Sequence, residues 1–302
     1  MAFSDRLRQA ILSADSVVVA GLDPTPAVLP PTFDAIDRNN NDLLAGAYAD
    51  FCLGLIDIAR GRVAAVKPNI AFFEALGIPG LSAYARICAA AHQAGLLVIG
   101  DVKRGDIGST AAAYAEGLLG DGLDTARPGR LGPHDALTLN PFLGTDSVGP
   151  FLERARLSGS GVFILVRTSN PSAKELQELP LASGGTVADA VARMVTSWAG
   201  TGDGYSDVGA VVGATSATEL VRLRGLLPRS WLLVPGYGAQ GGSADDVAGA
   251  FDADGLGAIV NASRSIMAAW KAEKTNDWQS AAIRAISDMN TQLNAVRGKP
   301  RG

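Results

Sequence analysis

The stretch LLVIGDVKRGDIGSTAAAYA, residues 96–115, passes from an apolar run into Asp101, Lys103, Arg104 and Asp106, and then into an alanine-rich helical pattern. An apolar run of this length, closed by glycine and charge, reads as a strand buried on both faces. Such strands belong to parallel sheets whose faces are covered by helices, and they normally end in turn residues. The charges at this strand's C-terminal end therefore need a structural partner or a chemical task.

Seven further runs share the pattern: SVVVAGLD (16–23), VAAVKPN (63–69), ALTLN (136–140), GVFILVRT (161–168), VGAVVGAT (208–215), WLLVPGYG (231–238) and GAIVNAS (257–263). Helical patterns such as LSAYARICAAAHQAG and SADDVAGAFDAD lie between them. Eight strand-then-helix units predict an α/β chain closed into one (β/α)8 TIM barrel over residues 1–302, with about 290–302 a frayed tail. A doubly wound open sheet is the alternative, but GLDPTPAVLPP follows the first run where a glycine-rich dinucleotide fingerprint would stand. Residues 24–46, 117–135 and 197–207 exceed ordinary connections and read as loop elaborations.

Each run carries its polar residues at the C-terminal end: Asp23; Lys67 and Asn69; Asp101 and Lys103; Asn140; Arg167, Thr168 and Ser169; Thr215; the loop GYGAQGG; and Asn261, Ser263 and Arg264. In a barrel those ends form one face, the face on which active sites are built.

The 302 residues are 47% hydrophobic and 19% charged, with a formal net charge of -4, which excludes global disorder. No block of like charge gives a footprint for nucleic acid or an anionic membrane. The N-terminal segment MAFSDRLRQAILSADS reads as an amphipathic helix and not as a signal peptide, and no apolar run is long enough to span a membrane. The expectation is a soluble, cytoplasmic protein that binds a small molecule. Cys52 and Cys88 lie in helical patterns, where thiols fill small apolar spaces without forming a disulfide.

Side chains two apart on a strand share a direction, so Asp101 and Lys103 point the same way, with Lys67 expected beside them on the neighbouring strand. Buried ion pairs stabilise less than apolar packing, so several of them at the catalytic face of a barrel point to function. Flanking carboxylates favour a charged Lys103, suited to stabilising and protonating a carbanion and unsuited to a Schiff base. His92 and His134 offer neither a metal triad nor a triad base, and Lys103 between Asp23, Asp101 and Asp106 competes with any metal ion; no metal is expected. Arg264, at the start of a helix beside the glycine loop, suits a phosphate.

The motif D-V-K-R-G-D-I-G at 101–108 resembles the D-x-K-x-x-D-I signature of the orotidine 5'-monophosphate decarboxylase family, in its longer bacterial form. The similarity extends in order over GLD, VKPN, RTSNP, PGYGAQGG and NASRS. It implies a decarboxylation to UMP without metal or cofactor, in a homodimeric barrel with shared active sites. It implies that Asp101 faces the substrate carboxylate, that Lys103 protonates the C6 carbanion, and that Lys67 and Asp23 contact the ribose and order the charges. Asp106, Ile107 and Thr110 would then reach the partner subunit's site, Ser169 the pyrimidine, and Gln240 and Arg264 the phosphate, with Pro235, Asn69, Asn140 and Ser263 as further substrate contacts. Two competitors are a Mg²⁺-dependent keto-gulonate phosphate decarboxylase, which shares only D-x-K-x-x-D, and a phosphate-ligand sensor, which would have lost the charge array.

Overall fold

The computed structural model describes residues 1–120, 131–214, 217–238 and 242–298. Its strands are β1 (Val18–Leu22), β2 (Ala65–Pro68), β3 (Leu97–Arg104), β4 (Ala136–Leu139), β5 (Gly161–Arg167), β6 (Ser206–Val212), β7 (Ser230–Val234) and β8 (Ala258–Ala262). They pair in sequence order, all parallel, and β8 closes on β1 through Val18 and Val260. Each falls within or against one of the eight apolar runs. The open-sheet alternative is excluded by this closure.

The strands are buried almost throughout because helices cover their outer face and side chains fill the barrel. The helix Asn41–Ala59 starts where the Asn40 side chain accepts the N–H groups of Asp42 and Leu43. It packs on the helix Gly77–Gln93, and both Cys52 and Cys88 are free and buried within this pair. The connection expected over 24–46 is therefore helical from residue 41, and that over 117–135 begins inside the helix Gly108–Leu119. Residues 121–130 of the latter lie outside the described residues.

The N-terminal helix, Phe3–Ala14, closes the end of the barrel opposite the charged strand ends. Phe3 meets Phe163 edge to face at 5.9 Å and lies over Gly161, where a Cβ would strike its ring. The Arg6 guanidinium bonds the Asp135 carboxylate and the Gly159 carbonyl, and the Ser4 N–H donates to Asp207 at 2.7 Å. These contacts pin the starts of β4, β5 and β6.

Two helical extents differ from expectation. The last helix runs Trp278–Val296 with Leu293 and Val296 buried, so the tail expected to fray from about 290 is helical to Val296, held by its apolar face. The pattern SADDVAGAFDAD forms only Ala244–Val247 and a 3-10 turn, Ala248–Ala250. Among the described residues no helix is long and apolar enough to cross a membrane.

Candidate active site

At the C-terminal ends of the strands lies a pocket of about 470 Å³ lined by residues from strand ends all around the barrel. Lys67 of β2 and Asp101 and Lys103 of β3 stand on one side of it, Arg264 and Ser263 after β8 on another. Leu165, Val211, Leu233 and Pro235 form its apolar wall.

The Asp101 carboxylate is the centre of the charged group. Lys67 Nζ donates to Oδ2 at 2.5 Å, Lys103 Nζ donates to Oδ1 at 2.5 Å, and Thr138 Oγ1 donates to Oδ1 at 3.0 Å. Lys67 and Asp101 are buried, whereas the Lys103 side chain is half exposed and faces the pocket. Burial by itself would raise the Asp101 carboxyl, but the Lys67 and Lys103 ammoniums hold it well below the usual carboxylate range. Burial by itself would lower the Lys67 ammonium, but the Asp101 and Asp23 carboxylates raise it above the ordinary lysine value. Asp101 and Lys67 are thus charged at neutral pH.

The expected shared direction of Asp101 and Lys103 is realised on an irregular strand. The β3–β4 register runs Gly100 to Leu137 and resumes at Arg104 to Leu139, so three residues of β3 face Thr138 alone. Lys103 sits there at φ 45°, in the left-handed region that non-glycine residues rarely enter.

Asp23 and Asn261 also line the pocket, and one buried carboxylate or amide oxygen of each, Oδ1, has no hydrogen-bond partner. A buried acceptor without a donor is costly unless a ligand or water supplies one. Ser169 reaches the pocket because β6 gives way to Gly213, where an added Cβ would lie 2.9 Å from Ser169 N and Cα. The loop holding Ser169 is tied down by Gln177, whose side chain accepts the Thr168 N–H at 2.8 Å and donates to Thr168 Oγ1 at 2.8 Å.

The pocket lining includes Asp23, Lys67, Asp101, Lys103, Ser169, Pro235, Ser263 and Arg264 of the residues expected from the sequence, and omits others. Asn69 and Asn140 do not line it: each uses Oδ1 to accept a backbone N–H two residues on, Ala71 at 3.3 Å and Phe142 at 3.0 Å, and so caps the turn leaving its strand. Asp106, Ile107 and Thr110 lie beyond the mouth, where Asp106 Oδ1 accepts the Ile107 N–H at 2.8 Å and Ile107 is 55% exposed. Gln240 falls outside the described residues.

Sequence reasoning missed Thr138, Asn170, Tyr237 and, in the apolar wall, Leu165, Val211 and Leu233, and left Thr168 and Asn261 as strand-end residues without a role. A lone hydroxyl inside the run ALTLN was the available signal for Thr138. His134 is packed away from the site: Nδ1 donates to the Leu118 carbonyl at 2.9 Å, which leaves Nε2 to accept the Tyr84 hydroxyl at 2.9 Å. Among the described residues no three His, Cys, Asp or Glu side chains converge as metal ligands.

Comparison with known proteins accords with this geometry. The family model described as Orotidine 5'-phosphate decarboxylase / HUMPS family matches residues 16–276. The chain belongs to that family. Orotidine 5'-phosphate decarboxylase of Rhodopirellula baltica is 47% identical over 97% of this chain and 99% of its own length. The orotidine 5'-phosphate decarboxylase of Deinococcus radiodurans is 42% identical, covering 98% of each chain. The solved structure of Leishmania donovani OMP decarboxylase superimposes with a TM-score of 0.77 at 31% identity, over 99% of this chain and all of that one.

Proposed function

We propose that this chain is a cytoplasmic, homodimeric enzyme that decarboxylates orotidine 5'-monophosphate to UMP, in pyrimidine biosynthesis, without metal or organic cofactor. The observation that carries the reading is the Asp101 carboxylate seated between the Lys67 and Lys103 ammoniums at the pocket. Full-length relatives named orotidine 5'-phosphate decarboxylase support the same substrate.

In this reading Asp101 faces the substrate's C6 carboxylate and Lys103 lies beside C6. The bond from C6 to the carboxylate breaks, CO₂ leaves, and the electron pair stays on C6. Lys103 passes a proton from Nζ to C6, and its amine regains one from solvent. A pyrimidine ring offers no electron sink at C6, so stabilisation comes from charges fixed before the reaction, beside an apolar wall that excludes water. Asp23, with its unpartnered oxygen, takes a ribose hydroxyl together with Lys67, and Ser169 takes the pyrimidine. Arg264 takes the phosphate with Gln240, and binding energy from that remote group serves the chemical step. Both oxygens of Asp101 are engaged by hydrogen-bond donors, which disfavours a cation there.

Asp106, Ile107 and Thr110 complete the site of a second subunit. The exposed side chains of Ile107 and Tyr114 beyond β3, with Phe142 and Leu143 beyond β4, supply an apolar surface for that contact.

The test is loss of orotidine 5'-monophosphate absorbance after exhaustive treatment with EDTA. Undiminished turnover is expected; activity that disappears and returns with Mg²⁺ would overturn the metal-free reading, and no turnover with or without Mg²⁺ would overturn the substrate and leave the keto-gulonate phosphate reading.

A further inference from the structure

The β3 segment that carries Asp101 and Lys103 has lost its ladder against β4, and a side chain stands in for the missing backbone partner. Between the paired positions Gly100–Leu137 and Arg104–Leu139, β3 has three residues and β4 has one, Thr138. In a regular parallel ladder the N–H groups of the consecutive residues Val102 and Lys103 would point to opposite sides and seek carbonyls of the two flanking strands. Here both donate instead to Thr138 Oγ1, at 3.0 Å and 3.1 Å. The hydroxyl's own proton goes to Asp101 Oδ1 at 3.0 Å.

A hydroxyl has one proton to donate and two lone pairs to accept with, and Thr138 uses all three. Its partners are the backbone N–H groups of two consecutive bulged residues and one oxygen of the carboxylate between the lysines. Thr138 is buried, at 1% exposure, so no solvent competes for these bonds. Lys103 is held at φ 45°, a conformation that persists in a non-glycine residue only when its surroundings over-determine it.

We propose that Thr138 is a positioning residue for the decarboxylation: its single hydroxyl holds the β3 bulge, and with it both the Lys103 backbone and the Asp101 carboxylate. It does not touch the reacting atoms in this reading and acts through Asp101 and Lys103. The inference rests on the functional reading above.

The experiment compares Thr138→Val, which keeps the volume and loses the hydroxyl, with Thr138→Ser, which keeps the hydroxyl, on kcat and on the affinity for UMP. Thr138→Val should lower kcat about 100-fold, the scale of a small misplacement of catalytic groups, with UMP affinity little changed. Thr138→Ser should recover most of that loss. Equal losses in the two variants, or parallel losses of kcat and UMP affinity, would make Thr138 a packing residue and overturn the proposal. Unaltered kcat in Thr138→Val would overturn it too.

If Thr138→Val does not fold, Thr138→Cys replaces it, since a thiol of similar size is a weak hydrogen-bonding group. Its kcat must then fall well below that of Thr138→Ser. A parent chain inactive on orotidine 5'-monophosphate would sink the functional reading alone. A crystal structure of the Val or Cys variant then decides: Lys103 leaving positive φ, or Asp101 turning from its lysines, supports the role, and an unchanged β3 overturns it.

Discussion

At the scale of single residues, the candidate site is a carboxylate compensated from two sides. Removing Lys103 takes away the group proposed to protonate carbon while leaving the Lys67–Asp101 pair and the Arg264 rim in place. Lys103→Ala should therefore abolish turnover yet still bind UMP, measured by calorimetry; substantial remaining turnover would make Lys103 structural. The Asp101 carboxyl lies below its unfolded value, so its ionisation contributes stability that is present above that value and is lost as pH falls through the lower folded one. Lys67 lies above its unfolded value and contributes stability that is lost only as pH rises through its folded value. The pair is therefore at full strength across the neutral range. Asp101→Asn leaves Lys67 buried without its closest carboxylate and should cost about 3–5 kcal/mol at pH 7. That cost should shrink below about pH 3.9, where the unfolded parent takes up its proton. Urea unfolding of parent and variant at pH 7 and pH 3 measures both, and a cost unchanged with pH would show that Asp101 is not held ionised.

At the scale of elements, strand ends and their irregularities place the polar groups. Parallel strands deliver Lys67 and Asp101 side by side because β2 and β3 are adjacent, but the β3 bulge sets where Lys103 points. Across the barrel, the end of β6 matters through what it lacks. Gly213 leaves the space that the Ser169 backbone occupies, and the obstruction a Cβ would meet is main chain, which yields less readily than the end of a side chain. Gly213→Ala should displace Ser169, raise KM for the nucleotide more than it lowers kcat, and destabilise the fold by about 1–3 kcal/mol through overpacking. Steady-state kinetics with thermal unfolding check this; an unchanged KM would separate Ser169 from substrate binding.

At the scale of the whole molecule, Asp106 does not line the pocket of its own chain. If that carboxylate serves a neighbouring subunit, Lys103→Ala and Asp106→Ala are each nearly inactive, and mixing them under subunit exchange restores activity. Random exchange makes half the dimers mixed, each with one intact site, so recovery should approach roughly a quarter of the parent activity for a two-fold dimer. No recovery, with exchange confirmed by mass, would return Asp106 to its own subunit or to the surface.

The eight strands, their parallel order and the face on which polar residues gather were legible in the sequence because each is a local property. A buried strand announces itself by an apolar run, and its end by the first Asp, Lys or Asn after it. The neighbourhood of Lys67, Asp101 and Lys103 followed as soon as consecutive strands were taken to be adjacent. Asn69 and Asn140 carry the same local signal as Asp23, yet their side chains cap turns, because a short amide leaving a strand competes for the nearest backbone N–H. Thr138 carried almost no signal. Its role depends on the register between β3 and β4, set by packing around the closed barrel, which brings its hydroxyl to backbone groups 35 and 36 residues away in the chain. Composition and period determine which residues face inward; only the closed tertiary structure decides which inward-facing group takes the bonds a bulged strand has left open.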